Sequence, residues 1–180
     1  GFPFIQVCDV GDNFQLKPKT KRRISEKAKS LSVLVKKDNL VLTIQGSIGR
    51  IALTQYDACI DRTLLIFSTI DENINKMYFM YIVKSLFEYE KRIAPGGTIK
   101  TITKEKLSNF KIPLPLISEQ QKIANILSDW DAAIENVQSL IEKLQVRKKG
   151  LMQQLLTGRE RLPGFCEDWK ESELGDYIKS

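Results

Sequence analysis

From Ile123 to Leu155 an apolar side chain recurs at alternating steps of four and three residues. The series is Ile123, Leu127, Trp130, Ile134, Val137, Ile141, Leu144, Lys148, Leu151 and Leu155, and nine of its ten positions are apolar. A 3.5-residue repeat held this long specifies an α-helix whose seam lies against a partner helix, because one exposed stripe of this size would stay wet. Ile126, Ala133 and Leu140 widen the seam over its first half. Some 38 residues at about 1.5 Å each make a rod of about 57 Å. A preceding domain of only ~115 residues is too small to cover such a rod. Pairing as a coiled coil with a second long helix is the economical arrangement.

Local signals agree with that helix. Ser118 followed three residues later by Gln121 fits a capping box, and Gly158 is a natural terminator. Acidic groups come early (Glu119, Asp129, Asp131, Glu135) and basic groups late (Lys143, Arg147, Lys148, Lys149), which suits the helix dipole. Upstream, Pro113 and Pro115 argue against helix and for an extended connector. The expected organisation is a domain over 1–117, a helix over 118–157 and a tail over 158–180. Phe165, Trp169, Leu174 and Tyr177 make that tail read as a linker and then a strand that docks on a globular domain.

Residues 1–117 read as a small, strand-rich mixed domain, so the chain as a whole is α+β. FIQVCDV at 4–10 and LVLTIQ at 40–45 alternate like half-buried strands, whereas RTLLIFST at 62–69 looks more fully buried. SEKAK at 25–29 opens a short helix with Ser25 as its cap. Residues 75–93 combine Met77, Tyr78, Phe79, Met80, Tyr81, Ile82, Val83, Leu86 and Phe87 with no Gly or Pro, the mark of a helix buried on most sides. Their aromatic rings read as core. NFKIPLPL at 109–116 reads as a last strand leading into the connector.

Composition removes whole classes of chemistry. With no histidine, Ser-His-Asp and Cys-His catalysis, imidazole metal sites and the usual near-neutral base are gone. No GxGxxG or GxxxxGK[ST] phosphate loop occurs. Asp168-Trp169-Lys170 is the one Asp/Glu-x-Lys triplet, and no Pro-Asp precedes it, so a metal nuclease is poorly supported. Cys8, Cys59 and Cys166 are odd in number and far apart, against a disulfide framework or a cysteine metal site. Apolar runs such as Leu64–Phe67 are too short to span a bilayer, and the first residues do not have the pattern of a signal peptide. The expectation is a cytoplasmic protein with no membrane contact, no metal, no cofactor of its own and no catalysis.

Charge points to a partner instead. Residues 1–117 hold 19 Lys/Arg against 11 Asp/Glu, while 118–157 balance at five each and 158–180 hold four against six. Within the first part, residues 17–37 carry Lys17, Lys19, Lys21, Arg22, Arg23, Lys27, Lys29, Lys36 and Lys37 against Glu26 alone. Such a cluster suits a phosphate backbone, and equally a solvated loop. Base reading needs donors and acceptors near it. Gln45, Ser47 and Arg50 flank the Gly46–Gly49 turn, where glycine lets backbone come close and Gln or Arg can bind base edges bidentately. GSIG is also readable as no more than a tight turn. Gly96, Gly97 and Thr98 form a second candidate loop.

One family carries these features together. IPLPLISEQQKIANILSDWDAAIENVQSLIEKLQVRKKGLMQQLLTGRERLPGF, at 112–165, resembles the helical region of type I restriction-modification specificity subunits. Its marks are the run from Glu119 to Ala124, that from Leu127-Ser128 to Asp131, and that from Lys148 to Gly158. Leu116 stands where the family often has a second proline. PFIQVCDV at 3–10 and NLVLTIQGSIGRIAL at 39–53 are similar to parts of its target recognition domain, with Asp38-Asn39 in place of the usual Gly-Asp. WKESELGDY at 169–177 resembles the segment that begins such a domain. A half-length subunit and a fragment across two domains both fit that arrangement.

The resemblance implies a subunit that recognises double-stranded DNA and holds modification (methyltransferase) and restriction (motor-nuclease) subunits. Methyl transfer from S-adenosylmethionine would then be the partner's chemistry. Two copies paired antiparallel would read an inverted repeat, its half-sites no more than roughly 17 base pairs apart for a 57 Å rod. The residues expected on DNA are Lys17, Lys19, Lys21, Arg22, Arg23, Gln45, Ser47, Arg50, Gly96, Gly97 and Thr98. A coiled-coil dimeric transcription regulator shares the basic domain and the long helix, although no helix-turn-helix pattern is visible. An enzyme with a phosphate loop at GSIGR would lack the lysine and Ser/Thr such loops need.

Overall fold

A computed structural model of the chain describes residues 1–93 and 102–178. Among the described residues seven short strands form two sheets. Strands β1 (Phe2–Ile5), β2 (Arg22–Ile24), β3 (Val33–Val35) and β6 (Ala58–Ile60) make one, in the order β2-β1-β6-β3. Strands β4 (Leu40–Thr43), β5 (Ile51–Leu53) and β7 (Leu64–Phe67) make the other, in the order β5-β4-β7. All pairings are antiparallel except β1 with β6. Helices α1 (Glu26–Ser30), α2 (Lys76–Ile93), α3 (Lys104–Ser108) and α4 (Ile117–Leu155) complete the described elements, with 3-10 turns at Val7–Asp9 and Leu174–Asp176.

Two cores lie on opposite faces of β4. Leu40 and Leu42 pack with Met80, Val83 and Phe87 of α2, while Val41 packs with Ile5, Val35 and Ala58 from the other sheet. Period-two alternation sends neighbouring side chains to opposite faces, and here both faces are covered, so every residue of β4 is buried. Each such Leu or Val is stabilised by roughly 1.5–3 kcal/mol relative to exposure. This reverses the expected ranking of strands. β4 is the central, fully buried strand, and β7, at the sheet edge, is buried only at Leu64.

Other elements differ in detail. The first strand stops at Ile5, because the Asp9 carboxylate accepts the backbone N–H of Gln6 (2.9 Å) and of Lys21 (2.8 Å) and turns the chain away. Ser25 caps α1 as expected, accepting the Ala28 N–H at 3.2 Å. Residues 110–116 form no strand, since Pro113 and Pro115 have no N–H to donate to a ladder. A short helix, α3, capped by Thr103 on the Lys106 N–H, precedes them instead. The long helix begins at Ile117 rather than after Ser118. Gln121 does not close a capping box there; it accepts a 2.6 Å hydrogen bond from Asn75 Nδ2 and donates to Asn125.

The chain divides into two compact units, Gly1–Asp129 and Trp130–Ser180. Within the first, Gln120 and Ala124 are the buried residues of α4. Beyond it the apolar seam is bare: Trp130, Ile134, Val137, Ile141 and Leu144 are all more than two-fifths exposed. In the second unit the described tail residues form no strand. Trp169 sits beside Gly158 and under the Arg161 guanidinium, 5.2 Å from its ring centre. No described helix is long and apolar enough to cross a membrane.

Candidate nucleic-acid interface

The Gly46–Gly49 turn joins β4 to β5 and is organised by one buried hydroxyl. Thr43 Oγ1 donates to the Ser47 carbonyl (2.6 Å) and accepts the Arg50 N–H (3.0 Å), while the Gly49 N–H bonds the Thr43 carbonyl (3.0 Å). Both glycines take positive φ, +77° at Gly46 and +86° at Gly49. At Gly49 a side chain would also need its surroundings to shift, since an added Cβ would lie 2.5 Å from Phe87 Cβ. Packing of the turn on α2 therefore accounts for Gly49 without any ligand.

Around this turn lies a cleft of about 320 Å³, lined by Gly11, Asp12 and Phe14, by the turn itself, and by Lys84, Glu88 and Lys91 of α2. Arg50 Nε pairs with Asp12 Oδ1 at 2.9 Å. Lys84 donates to the Asp12 carbonyl at 3.1 Å and stands 5.0 Å from the centre of the Phe14 ring. Ser47 is exposed at the rim, Arg50 is half-buried, and Gln45, exposed just before the turn, is not among the residues lining the cleft. Sequence reasoning missed Asp12, Lys84 and Lys91 here. The spacing of Lys84, Glu88 and Lys91 was the available signal, because steps of four and three put them on one helix face.

The basic cluster is on a different segment. Lys17, Lys19, Lys21, Arg22 and Arg23 are all exposed, on the loop leading into edge strand β2 and on that strand. Their backbone is tied down: the Lys17 N–H bonds the Asp9 carbonyl (2.8 Å), and the Lys21 N–H bonds the Asp9 carboxylate. Tyr56 donates its hydroxyl to the Lys17 carbonyl at 2.8 Å. Burial, with the Asp9 charge adding to it, pushes the Tyr56 phenol up, so it stays a protonated donor. Tyr56 follows the C-terminal end of β5, whereas Arg50 precedes its N-terminal end. The two predicted groups thus flank opposite ends of the three-residue strand β5. Lys36 pairs with Asp57 at 3.0 Å, and the same carboxylate accepts the backbone N–H of Lys37 at 2.8 Å. Gly96, Gly97 and Thr98 lie outside the described residues.

The two sheets, α2 and the first three-quarters of α4 coincide with a known domain: residues 1–146 match the type I restriction modification DNA specificity domain. The chain belongs to this family. It is 31% identical over 147 residues to the type I restriction enzyme MjaVIII specificity subunit of Methanocaldococcus jannaschii, a match covering 80% of this chain and 33% of that protein. The putative MjaX specificity subunit of the same organism is 30% identical over 132 residues, covering 72% of this chain and 30% of the relative. The chain therefore spans about a third of the length of these curated relatives. Its fold resembles the crystal structure of the HsdS subunit from Thermoanaerobacter tengcongensis, with TM-score 0.53 and 21% identity over 77% of this chain and 32% of that one. A chain from a solved type I R-M complex aligns with TM-score 0.58 and 20% identity, over 86% and 38% of the two. Membership of the specificity family takes the place of the transcription-regulator reading.

Proposed function

We propose that this chain is one DNA-reading half of a type I specificity subunit, and that it does no chemistry itself. The observation that carries this is the family match, which runs from the first strand through both sheets into the long helix. Lys17, Lys19, Lys21, Arg22 and Arg23 are exposed on a tethered loop and edge strand, which suits contacts that position phosphates without reading sequence. Gln45, Ser47 and Arg50 are the base readers. Among the described residues the Asp12 carboxylate engages Arg50 through Nε, which leaves its terminal nitrogens for a bidentate contact with a guanine edge.

The apolar seam of Ile123, Leu127, Trp130, Ile134, Val137, Ile141, Leu144, Leu151 and Leu155 pairs with the same helix of a second copy. Two recognition units related by a two-fold axis read an inverted repeat with an unread spacer. Modification subunits on this scaffold carry S-adenosylmethionine and methylate adenine, restriction subunits join for cleavage, and the assembly works in the cytoplasm. The test is mass in solution by light scattering, alone and with the cognate modification subunit. A dimer near twice 20.6 kDa that takes up the methyltransferase is expected. A monomer that still binds it refutes self-pairing, and no association in either state refutes the specificity role.

A further inference from the structure

Gln120 is fully buried, and among the described residues its side chain hydrogen-bonds only to backbone. Its Oε1 accepts the Asn75 N–H at 2.9 Å, an amide at the start of α2 that the helix itself cannot satisfy. Its Nε2 donates to the Asn73 carbonyl (3.0 Å) and to the Pro115 carbonyl (2.8 Å). The Asn75 side chain completes the joint by capping Tyr78 N–H (3.0 Å) and donating to Gln121. Tyr78 then donates its hydroxyl to the Pro113 carbonyl at 2.9 Å. Ala124, one turn on, is buried and small enough for close approach. The connector before α4, the first turns of α4 and the start of α2 are thereby held in one network.

A buried polar group satisfied three times over is unusual for a residue that only needs to start a helix, where a Ser or Asp would serve. A network of this kind specifies one arrangement, because any other leaves buried donors and acceptors unpaired. We propose that Gln120 is a positioning residue that sets which half-site spacing the dimer accepts. This rests on the recognition role proposed above. Changing the spacer by one base pair moves a half-site by about 3.4 Å along the axis and turns it by roughly a tenth of a turn. A recognition unit locked to its helix cannot follow that movement, whereas one on a loosened joint can.

The full chain with its modification subunit tests this. A library of random-sequence duplexes is first passed over the wild-type assembly, and the selected target is rebuilt with its spacer one pair shorter, unchanged and one pair longer. Wild type is expected to bind the altered spacers at least roughly tenfold more weakly, within the range a defective contact costs in such complexes. Gln120→Ala is expected to narrow that ratio to about two- or threefold while selecting the same half-sites. A separate readout needs no DNA. Spin labels at Ser85→Cys and Asp129→Cys, both within the Gly1–Asp129 unit, with Cys8 and Cys166 replaced by serine and the sample diluted with unlabelled chain, report the intrachain distance distribution. It should broaden in Gln120→Ala. Tyr78→Phe removes one bond of the same joint while keeping its packing; it should shift both readouts part-way and serves where the alanine variant does not fold. An unchanged spacer profile in folded variants that keep the half-sites overturns the inference alone. A wild-type assembly that selects no bipartite duplex overturns the recognition role, and a distance distribution left sharp overturns the joint itself.

Discussion

Gly46 and Gly49 bracket the same turn and both adopt positive φ, yet their surroundings differ, so alanine at each position separates two energetic terms. Any L-residue pays about 1–2 kcal/mol for the left-handed conformation. At Gly46 that is nearly the whole cost, because the nearest atom to a new Cβ is Val7 Cγ1 at 3.9 Å. At Gly49 the Cβ would meet Phe87 Cβ at 2.5 Å and Cγ at 2.6 Å. Phe87 is 1% exposed, and a shift would have to move α2 away from β4. Overpacking of this kind adds about 1–3 kcal/mol. Gly49→Ala should therefore lose about 2–5 kcal/mol and Gly46→Ala about 1–2. Urea unfolding followed by far-ultraviolet dichroism, with unchanged slopes, measures both. If the two variants fall within about 0.5 kcal/mol of each other, the close approach of this turn to α2 is not what demands glycine.

Charge insertion into the seam, as Ile134→Asp with Ile141→Asp, is expected to halve the mass in light scattering while leaving the unfolding of the Gly1–Asp129 unit in place; an unchanged mass would remove the seam from the interface. Lys19→Ala with Lys21→Ala should weaken DNA binding about equally across sequences and lower the slope of log affinity against log salt by about 0.9 for each phosphate no longer neutralised. A change confined to one base position would assign these lysines to base reading instead. The Asp57 carboxyl is held below its ordinary value of 3.8 by the Lys37 N–H bond and then by Lys36. Its stabilisation is present above the unfolded value and disappears as pH falls through the lower folded value. Asp57→Asn should flatten that part of the acid limb of the urea midpoint, and an acid limb identical to wild type would dissociate Asp57 from it.

The seam, the Ser25 cap and the long apolar stretch of α2 were legible because each is a property of neighbours three or four residues apart, and a helix satisfies its backbone within itself. The family was legible for the same reason, since its most distinctive residues lie on the long helix. Strand ranking was not. LVLT and LLIF carry similar apolar patterns, and β4 is the buried one only because β5 and β7 flank it while α2 and the other sheet cover its two faces. Gln121 fitted a capping box by spacing, but its partner is Asn75, 46 residues away. Nor did the sequence reveal that the basic loop and the GSIG turn are joined to the two ends of the three-residue β5, the loop through the Tyr56–Lys17 bond and the turn through Arg50. The helix and its repeat followed from the sequence by itself. Which strand is central, which polar groups meet and where the charges stand were decided by contacts between residues distant along the chain, which exist only after the sheets have closed around β4.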